Sequence, residues 1–303
     1  MSDAAVVVAV GSANEIATDA AGPWVQNASV TLSPDPVGDR RVVAVESTRE
    51  AVDELATRVH TWPQAATVCD QVLRAFDPHA PAFAGLITES LAYSTLQSGP
   101  EFAAWLEQRG PAAPPVFEDP VIAARDGDTL HITLNRPQRH NAFSNDVRAA
   151  LLDALEVARL DPSVTDVVLT GAGPSFCSGG DLAEFGSFTD PASAHIARTS
   201  HSPARVLDDV ATRLGRRCRA SVHGRVLGSG LEMAAFCGWV EAHPDSVLGL
   251  PELALGLIPG AGGTVSVTRR IGRWRTAYLV LSGRTVDAAT ALDWGLVDAI
   301  GSP

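Results

Sequence analysis

The chain has 303 residues, 46% of them hydrophobic, which is enough for a sizeable core and, by length, for about two domains. Its net charge is −12, and every one of its 23 lysine-plus-arginine positions is arginine. The acidic balance speaks against a nucleic-acid partner, and the absence of lysine removes Schiff-base and phosphate-loop lysine chemistry.

In chain order, Ala4–Val10 reads as a short buried strand, and Gly11–Gly38, rich in Gly, Ser, Asn, Asp and Pro, gives no clear period. Residues 1–40 are therefore expected to be a poorly defined segment. Arg41–Val45 reads as a strand. Glu46-Ser47-Thr48 opens a helix in which Val52, Leu55, Ala56 and Val59 recur at helical spacing. Trp62–Phe76 is a second helix with Ala66, Cys69, Val72 and Leu73 on one face. After a break at Pro78–Pro81, Ala82–Gln97 and Pro100–Gln108 are helical. Gly110–Pro115 is a linker, and it divides a helical segment, 41–115, from an α/β core, 116–303.

Beyond the linker, Leu130–Leu134 alternates as a strand and Asn135-Arg136-Pro137 turns. Asn145–Leu160 is an amphipathic helix, and Val164–Thr170 is a β-branched strand of the buried parallel kind. A glycine-dense loop, Gly171–Gly180, follows. Ser202–Leu214 is helical, and Arg219–Val222 is a strand leading to His223-Gly224, a second glycine-dense turn and a buried helical stretch, Leu231–Phe236. Ser246–Leu250 is a short strand before Pro251-Glu252. Strands alternating with helices make the fold class α/β.

Cys69, Cys177, Cys218 and Cys237 stand far apart without a Cys-x-x-Cys pair, and no histidine pair has zinc-ligand spacing. They read as reduced core thiols, with no metal or redox cofactor implied. Met1-Ser2-Asp3 lacks a basic start, and Ala4–Val10 is too short for a signal peptide or a membrane span, so a soluble, cytoplasmic protein is expected.

Two glutamates carry the chemistry. Glu232 lies in the otherwise apolar run Leu231–Phe236, where a carboxylate needs a partner or a purpose; a structural ion pair with arginine is the alternative. Glu252 follows Pro251, and a solvated loop carboxylate is its alternative. Gly228 and Gly230 permit close backbone approach to a ligand, and the helix start after them points free N–H groups at negative charge. Paired carboxylates beside such donors suit proton transfer next to a developing oxyanion. Neither glycine loop matches a phosphate-binding or dinucleotide motif. Gly173-Pro174-Ser175 begins like a nucleophile elbow but reaches Cys177 where the motif needs glycine, so Ser175, Ser178 and Ser229 have only weak claims as nucleophiles. Cys177 reads as a packed thiol.

Taken as an ordered set, these stretches resemble the enoyl-CoA hydratase/isomerase (crotonase) family over about residues 120–300. The set comprises Leu134-Asn135-Arg136-Pro137 with Asn141-Ala142, Leu169-Thr170-Gly171 leading to Ser175–Leu182, His223-Gly224 to Glu232, and Pro251-Glu252 with Gly256–Gly263. It closes with Leu281–Arg284, Ala288–Ala291 and Trp294–Val297. The resemblance implies a crotonase-like superhelix of ββα turns with a helical cover or trimerisation segment, and an acyl-CoA thioester as substrate. It implies an oxyanion hole from the backbone N–H groups of Gly180 and Ser229, Glu232 and Glu252 as the acid/base pair, and Gly260 as an aid in positioning water. The implied activity is hydration of a 2-enoyl-CoA without any cofactor beyond the substrate's own coenzyme A, by a homotrimer or hexamer. An isomerase, another thioester enzyme of the family or a non-catalytic oligomeric homologue is the alternative. Ser229 stands where the family usually has Gly or Ala, which its backbone role tolerates, and Ala183 stands where many relatives carry a basic residue near the CoA. Phe185, Phe188, Trp239 and Trp274 are candidates for the pocket wall. The closing helices that typical members carry after the core find their likeness before it, in 41–110, which reads as a circular permutation.

Overall fold

The helices that begin at Thr48, Pro63, Pro100, Asn145 and Pro203 open on a capping residue or a proline. The computed structural model describes residues 6–113, 115, 117–187 and 190–301. The amino-terminal part comprises β1 (Val8–Val10), α1 (Ala13–Ile16), α2 (Gly22–Asn27), β2 (Val30–Ser33) and β3 (Val42–Ala44). The three strands form a parallel sheet in the order β1-β2-β3. Gly11–Gly38 therefore has more order than its sequence pattern offers. All four residues of β2 are buried, so no inside–outside alternation exists there to be read.

Four helices follow: α3 (Thr48–Thr61), α4 (Pro63–Ala75), α5 (Ala82–Gln97) and α6 (Pro100–Arg109). The Ser47 hydroxyl caps α3 by accepting from Glu50 N, and prolines open α4 and α6. The predicted helices are all present, with ends within two residues of expectation.

The remaining chain builds the core from β4 (Val121–Asp126), β5 (Thr129–Leu134), α7 (Asn145–Leu160), β6 (Asp166–Gly171), α8 (Pro191–Ser200), α9 (Pro203–Leu214), β7 (Cys218–Val222), β8 (Arg225–Leu227), α10 (Ser229–Ala234), β9 (Trp239–Ala242), β10 (Val247–Gly249), α11 (Gly263–Ser282, kinked at Gly272), β11 (Val286–Asp287), α12 (Ala288–Trp294) and β12 (Ala299–Ile300). Helix α8 had no counterpart in the sequence pattern. One six-stranded sheet runs β12-β9-β7-β6-β5-β4, parallel except for the β4–β5 hairpin, and a smaller sheet runs β11-β10-β8. Leu130, Ile132 and Leu134 of β5 point into the core, under Leu151 and Leu155 of α7.

Helix α11 joins the two halves. It packs on α3, α4 and α5 on one side and on α10 on the other. Residues 48–109 thus lie against the 223–263 region. Tyr93 packs on Gly260, Leu106 on Gly186, and the Arg58 guanidinium donates to the Leu281 carbonyl at 2.9 Å.

Candidate active site

The loop between β6 and α8 is held by a buried staple. Asn141, in the left-handed region at φ +55°, accepts from Arg136 N at 2.7 Å and donates to the carbonyls of Ala172 and Ser175. Arg136, 1% exposed, pairs with buried Asp181 at 2.9 Å, and Arg139 reaches the other Asp181 oxygen at 3.0 Å. Burial opposes ionisation of Asp181, but the bonds from Arg136, Ala183 N and Arg139 prevail and hold its carboxyl below the usual range. The Asn-Arg-Pro and Asp-Leu signatures are therefore scaffolding for Gly180, which sits between them. Cys177 packs beneath this loop, its thiol pushed up to about 12 by burial.

Phe143 N donates to Gly179 O and Asp181 N to Phe143 O, which leaves the intervening Gly180 N–H without a protein acceptor among the described residues. Ser229, at the first position of α10, has a free N–H for the ordinary helix-start reason. A Cβ on Gly180 would lie 4.0 Å from Ser229 Oγ, so the two donors are neighbours. Gly228, just before α10, has φ +48°, and a Cβ there would meet Glu252 Oε1 at 2.5 Å, so this position demands glycine both by conformation and by space.

Gly180, Ser229, Glu232, Glu252 and Gly260 all line one cavity of about 330 Å3 between the core and helices α5 and α8. Glu232 is 1% exposed and has no arginine partner among the described residues; its Oε2 accepts from Ala261 N at 2.7 Å and Gly263 N at 2.8 Å. Glu252 opens a 3-10 turn rather than a free loop. It is half-buried as a residue, yet its Oε2 is sealed from solvent with no hydrogen-bond partner among the described residues.

A third carboxylate comes from the helical half. Glu89 of α5 is 2% exposed; its Oε1 accepts from Gly262 N at 2.7 Å and its Oε2 from Thr264 N at 2.9 Å and Thr264 Oγ1 at 2.7 Å. Four successive amides at the start of α11 therefore alternate between Glu232 and Glu89. Burial, then the charges of Glu252 and Glu89, push Glu232 above the ordinary carboxyl range, against its two amide bonds. Burial pushes Glu252 up to about 8, and Glu89 up to about 7 against its hydrogen bonds. The amide donors and the positive end of the α11 dipole favour charge on Glu232 and Glu89, whereas Glu252 Oε2 has no donor; a proton shared by the group belongs there.

Glu89 was not singled out in the sequence, although it is the only charged residue in α5, the same signal that marked Glu232. Phe185 does form pocket wall, its ring against Gly180 and edge-on to Trp105 at 5.9 Å. Phe188 lies outside the described residues. Trp239 and Trp274 are not part of the wall. Trp239 lies in β9 under Arg216, and Trp274 is held in α11 with Arg273 over its ring at 4.2 Å; Phe83 and Tyr93 of α5 occupy the wall instead.

A mostly parallel sheet flanked by helices, with two adjacent free amides and a cluster of buried carboxylates in one cavity, defines an α/β scaffold suited to holding a developing oxyanion beside proton-transfer groups. The sequence profile of the enoyl-CoA hydratase/isomerase family matches residues 125–302, and the chain belongs to that family. It is 35% identical over 180 residues to the 2,3-dehydroadipyl-CoA hydratase of Escherichia coli, a match covering 59% of this chain and 68% of the relative. It is 33% identical over 191 residues to the mevalonyl-coenzyme A hydratase of Beauveria bassiana, covering 62% and 68%. Among solved structures, the enoyl-CoA hydratase of Thermoplasma volcanium superposes with a TM-score of 0.53 at 32% identity, over 61% of this chain and 73% of that one. An enoyl-CoA hydratase/isomerase from Marinobacter aquaeolei gives 0.51 at 28% identity, over 61% and 71%. Among the described residues no helix is long and apolar enough to cross a membrane.

Proposed function

We propose that the chain hydrates a 2-enoyl-CoA thioester. The observation that carries this reading is the meeting of two free amides, Gly180 and Ser229, with two buried glutamates, Glu232 and Glu252, around one cavity. The thioester oxygen accepts from both amides, which stabilises the enolate formed as water attacks; a donor of this kind is worth about 100- to 1000-fold in rate. Glu232, held by Ala261 and Gly263 through Oε2, takes a proton from water as the water oxygen bonds to C3. Glu252, whose bare Oε2 carries the shared proton, delivers it to C2. The proton lost by water resupplies the pair, so no redox partner is required. Gly260 borders the space where the water sits. A double-bond isomerase needs only one of the two glutamates, so the second favours hydration.

Turnover of crotonyl-CoA and longer 2-enoyl-CoAs, followed by loss of enoyl-thioester absorbance, tests the reading with Glu232→Gln and Glu252→Gln in parallel. Loss of hydration in both variants supports it. Double-bond migration without water addition would replace it with the isomerase, and turnover unaffected by both variants would replace the glutamates as the acid/base pair.

The helices at 48–109 are proposed to be the family's closing segment, placed before the core by circular permutation. Their packing over the 223–263 region supports this, as does the delivery of Glu89 and Tyr93 into the cavity. A relinked gene that moves residues 41–113 to follow residue 301 is expected to give a folded, active protein; an unfolded product would argue for an independent extension. Assembly as a trimer or hexamer is proposed on the same likeness, with sedimentation as its check.

A further inference from the structure

Two cations share the proposed acyl cavity, and among the described residues neither is in direct contact with a carboxylate, although Glu184 and Glu89 act on Arg148 and Arg198 from further off. Arg148 of α7 and Arg198 of α8 both line it. Arg198 is fixed by neutral groups: its Nε donates to Ser90 Oγ at 3.2 Å, Nη1 to Gln97 Oε1 at 3.0 Å and Nη2 to Ser94 Oγ, while its guanidinium lies 4.6 Å over the Tyr93 ring. Arg148 makes no side-chain hydrogen bond among the described residues. No carboxylate oxygen lies within 4.0 Å of either guanidinium among those residues; of the other arginines ten have such a partner and eleven do not, and what sets these two apart is that both line the cavity.

The nearby carboxylates are already engaged. Glu89 accepts from the α11 amides, and Glu184 accepts from Asn145 N at 2.7 Å. The two arginines also repel one another, and burial lowers the proton affinity of both. In a chain of net charge −12, two half-buried cations in one cavity, Arg198 held by serines, a glutamine and an aromatic face and Arg148 by no side chain among the described residues, make a setting that suits an anion.

From this geometry we infer that Arg148 and Arg198 form a subsite for a carboxylate at the far end of the acyl chain, so that the substrate is the mono-CoA thioester of an unsaturated dicarboxylic acid. Tyr93, which carries Arg198 on its face, packs on Gly260, beside the loop whose amides hold Glu232. Arg198 therefore stands on the glutamate side of the cavity, with Arg148 near enough to Tyr93 for their charges to interact, and the proposed acyl tail runs toward them. A cavity of about 330 Å3 holds an acyl arm, and the nucleotide of CoA stays outside it. The placement of the tail rests on the hydratase reading above; the presence of an anion subsite does not.

The test compares acyl groups matched in length. Dissociation constants of adipyl-CoA and hexanoyl-CoA, saturated and unreactive, are measured by calorimetry, and kcat/KM is measured for trans-2-hexenedioyl-CoA, its ω-methyl ester and trans-2-hexenoyl-CoA. The dicarboxyl ligand is expected to bind about 30-fold tighter than the neutral one, the scale of a charge-assisted pair in a shielded site. Arg148→Gln and Arg198→Gln are each expected to reduce that ratio about tenfold. Arg148 holds no other side chain, so its variant keeps the test alive should Arg198→Gln fail to fold. The CoA phosphates are the other source of anionic charge. If the arginines read these, both variants weaken the two acyl groups equally, and the loss disappears with pantetheine thioesters, which overturns the proposal. Equal wild-type affinity for the two acyl groups also overturns it, whatever the hydratase assay shows. Preferential adipyl-CoA binding without hydration would keep the subsite and remove the hydratase reading instead.

Discussion

The cavity has two walls of different construction. The core wall works largely through backbone: the loop ending at Gly180 and the turn at Gly228 bring free amides and main-chain atoms close together, and Glu232 and Glu252 reach in beside them. The helical wall, α5, works through side chains: Phe83, Glu89, Ser90, Tyr93 and Gln97 all project from one continuous helix. A backbone-built wall needs glycine at defined places and tolerates little. A side-chain wall on a helix can be altered residue by residue without moving the chain. The fixed chemistry therefore belongs to the core wall, and tuning belongs to the helix.

Substitutions graded by effect sharpen this contrast. The largest is expected from Glu232→Gln, which keeps shape but removes the base; kcat for hydration should fall about 1000-fold with KM little changed. Glu252→Gln should follow closely, at about 100- to 1000-fold. In the wild type the kcat profile should fall on the alkaline side near pH 8, where Glu252 loses its proton. A profile flat through that range would remove Glu252 as the acid.

Gly228→Ala comes next. With φ +48° and the added methyl at 2.5 Å from Glu252 Oε1, it should cost about 1–3 kcal/mol of stability, read as a lower Tm, and displace Glu252 as well. On the helical wall, Glu89→Gln should be milder, lowering kcat about tenfold through the α11 start, whose successive amides alternate between Glu89 and Glu232. Its distinguishing signature is the pH profile. The charge of Glu89 raises the proton affinity of Glu252, so its loss should move the alkaline limb to lower pH. A merely structural cap would lower kcat and leave the limb in place.

The smallest effect concerns stability. Glu252 has a folded-state pKa raised from 4.5 to about 8. Its contribution is therefore fully present below about pH 4.5 and is lost as pH rises through about 8. Relative to wild type, Glu252→Gln should gain a few degrees in Tm as pH is raised from about 5.5 to 8.5. A Tm difference independent of pH would contradict the buried, partnerless placement of Oε2.

The core wall was legible because its signals are local. Glu232 is a lone charge in an apolar run, Glu252 follows a proline, and the glycine loops, which taken singly read as tight turns, gain meaning from their order with the two glutamates. The sheet core followed from strands alternating with helices. The strand β2 escaped because burial on both faces erases the alternation by which strands are recognised, and α8 escaped because its apolar positions are sparse. Glu89 carried the same signal as Glu232 but lay in a helix read only for its period.

By itself, the sequence determined the class of fold, the family and the glutamate pair, because each depends on residue types at short, ordered spacings. Only the tertiary structure decided that Glu89 meets amides 173 and 175 positions away, that Tyr93 rather than Trp239 or Trp274 forms the wall, and that Arg148 and Arg198 face one cavity with no carboxylate in direct contact among the described residues. Periodicity states which face of a helix is buried. What that face is buried against depends on how α11 seats the helical half on the core, and no local pattern records that.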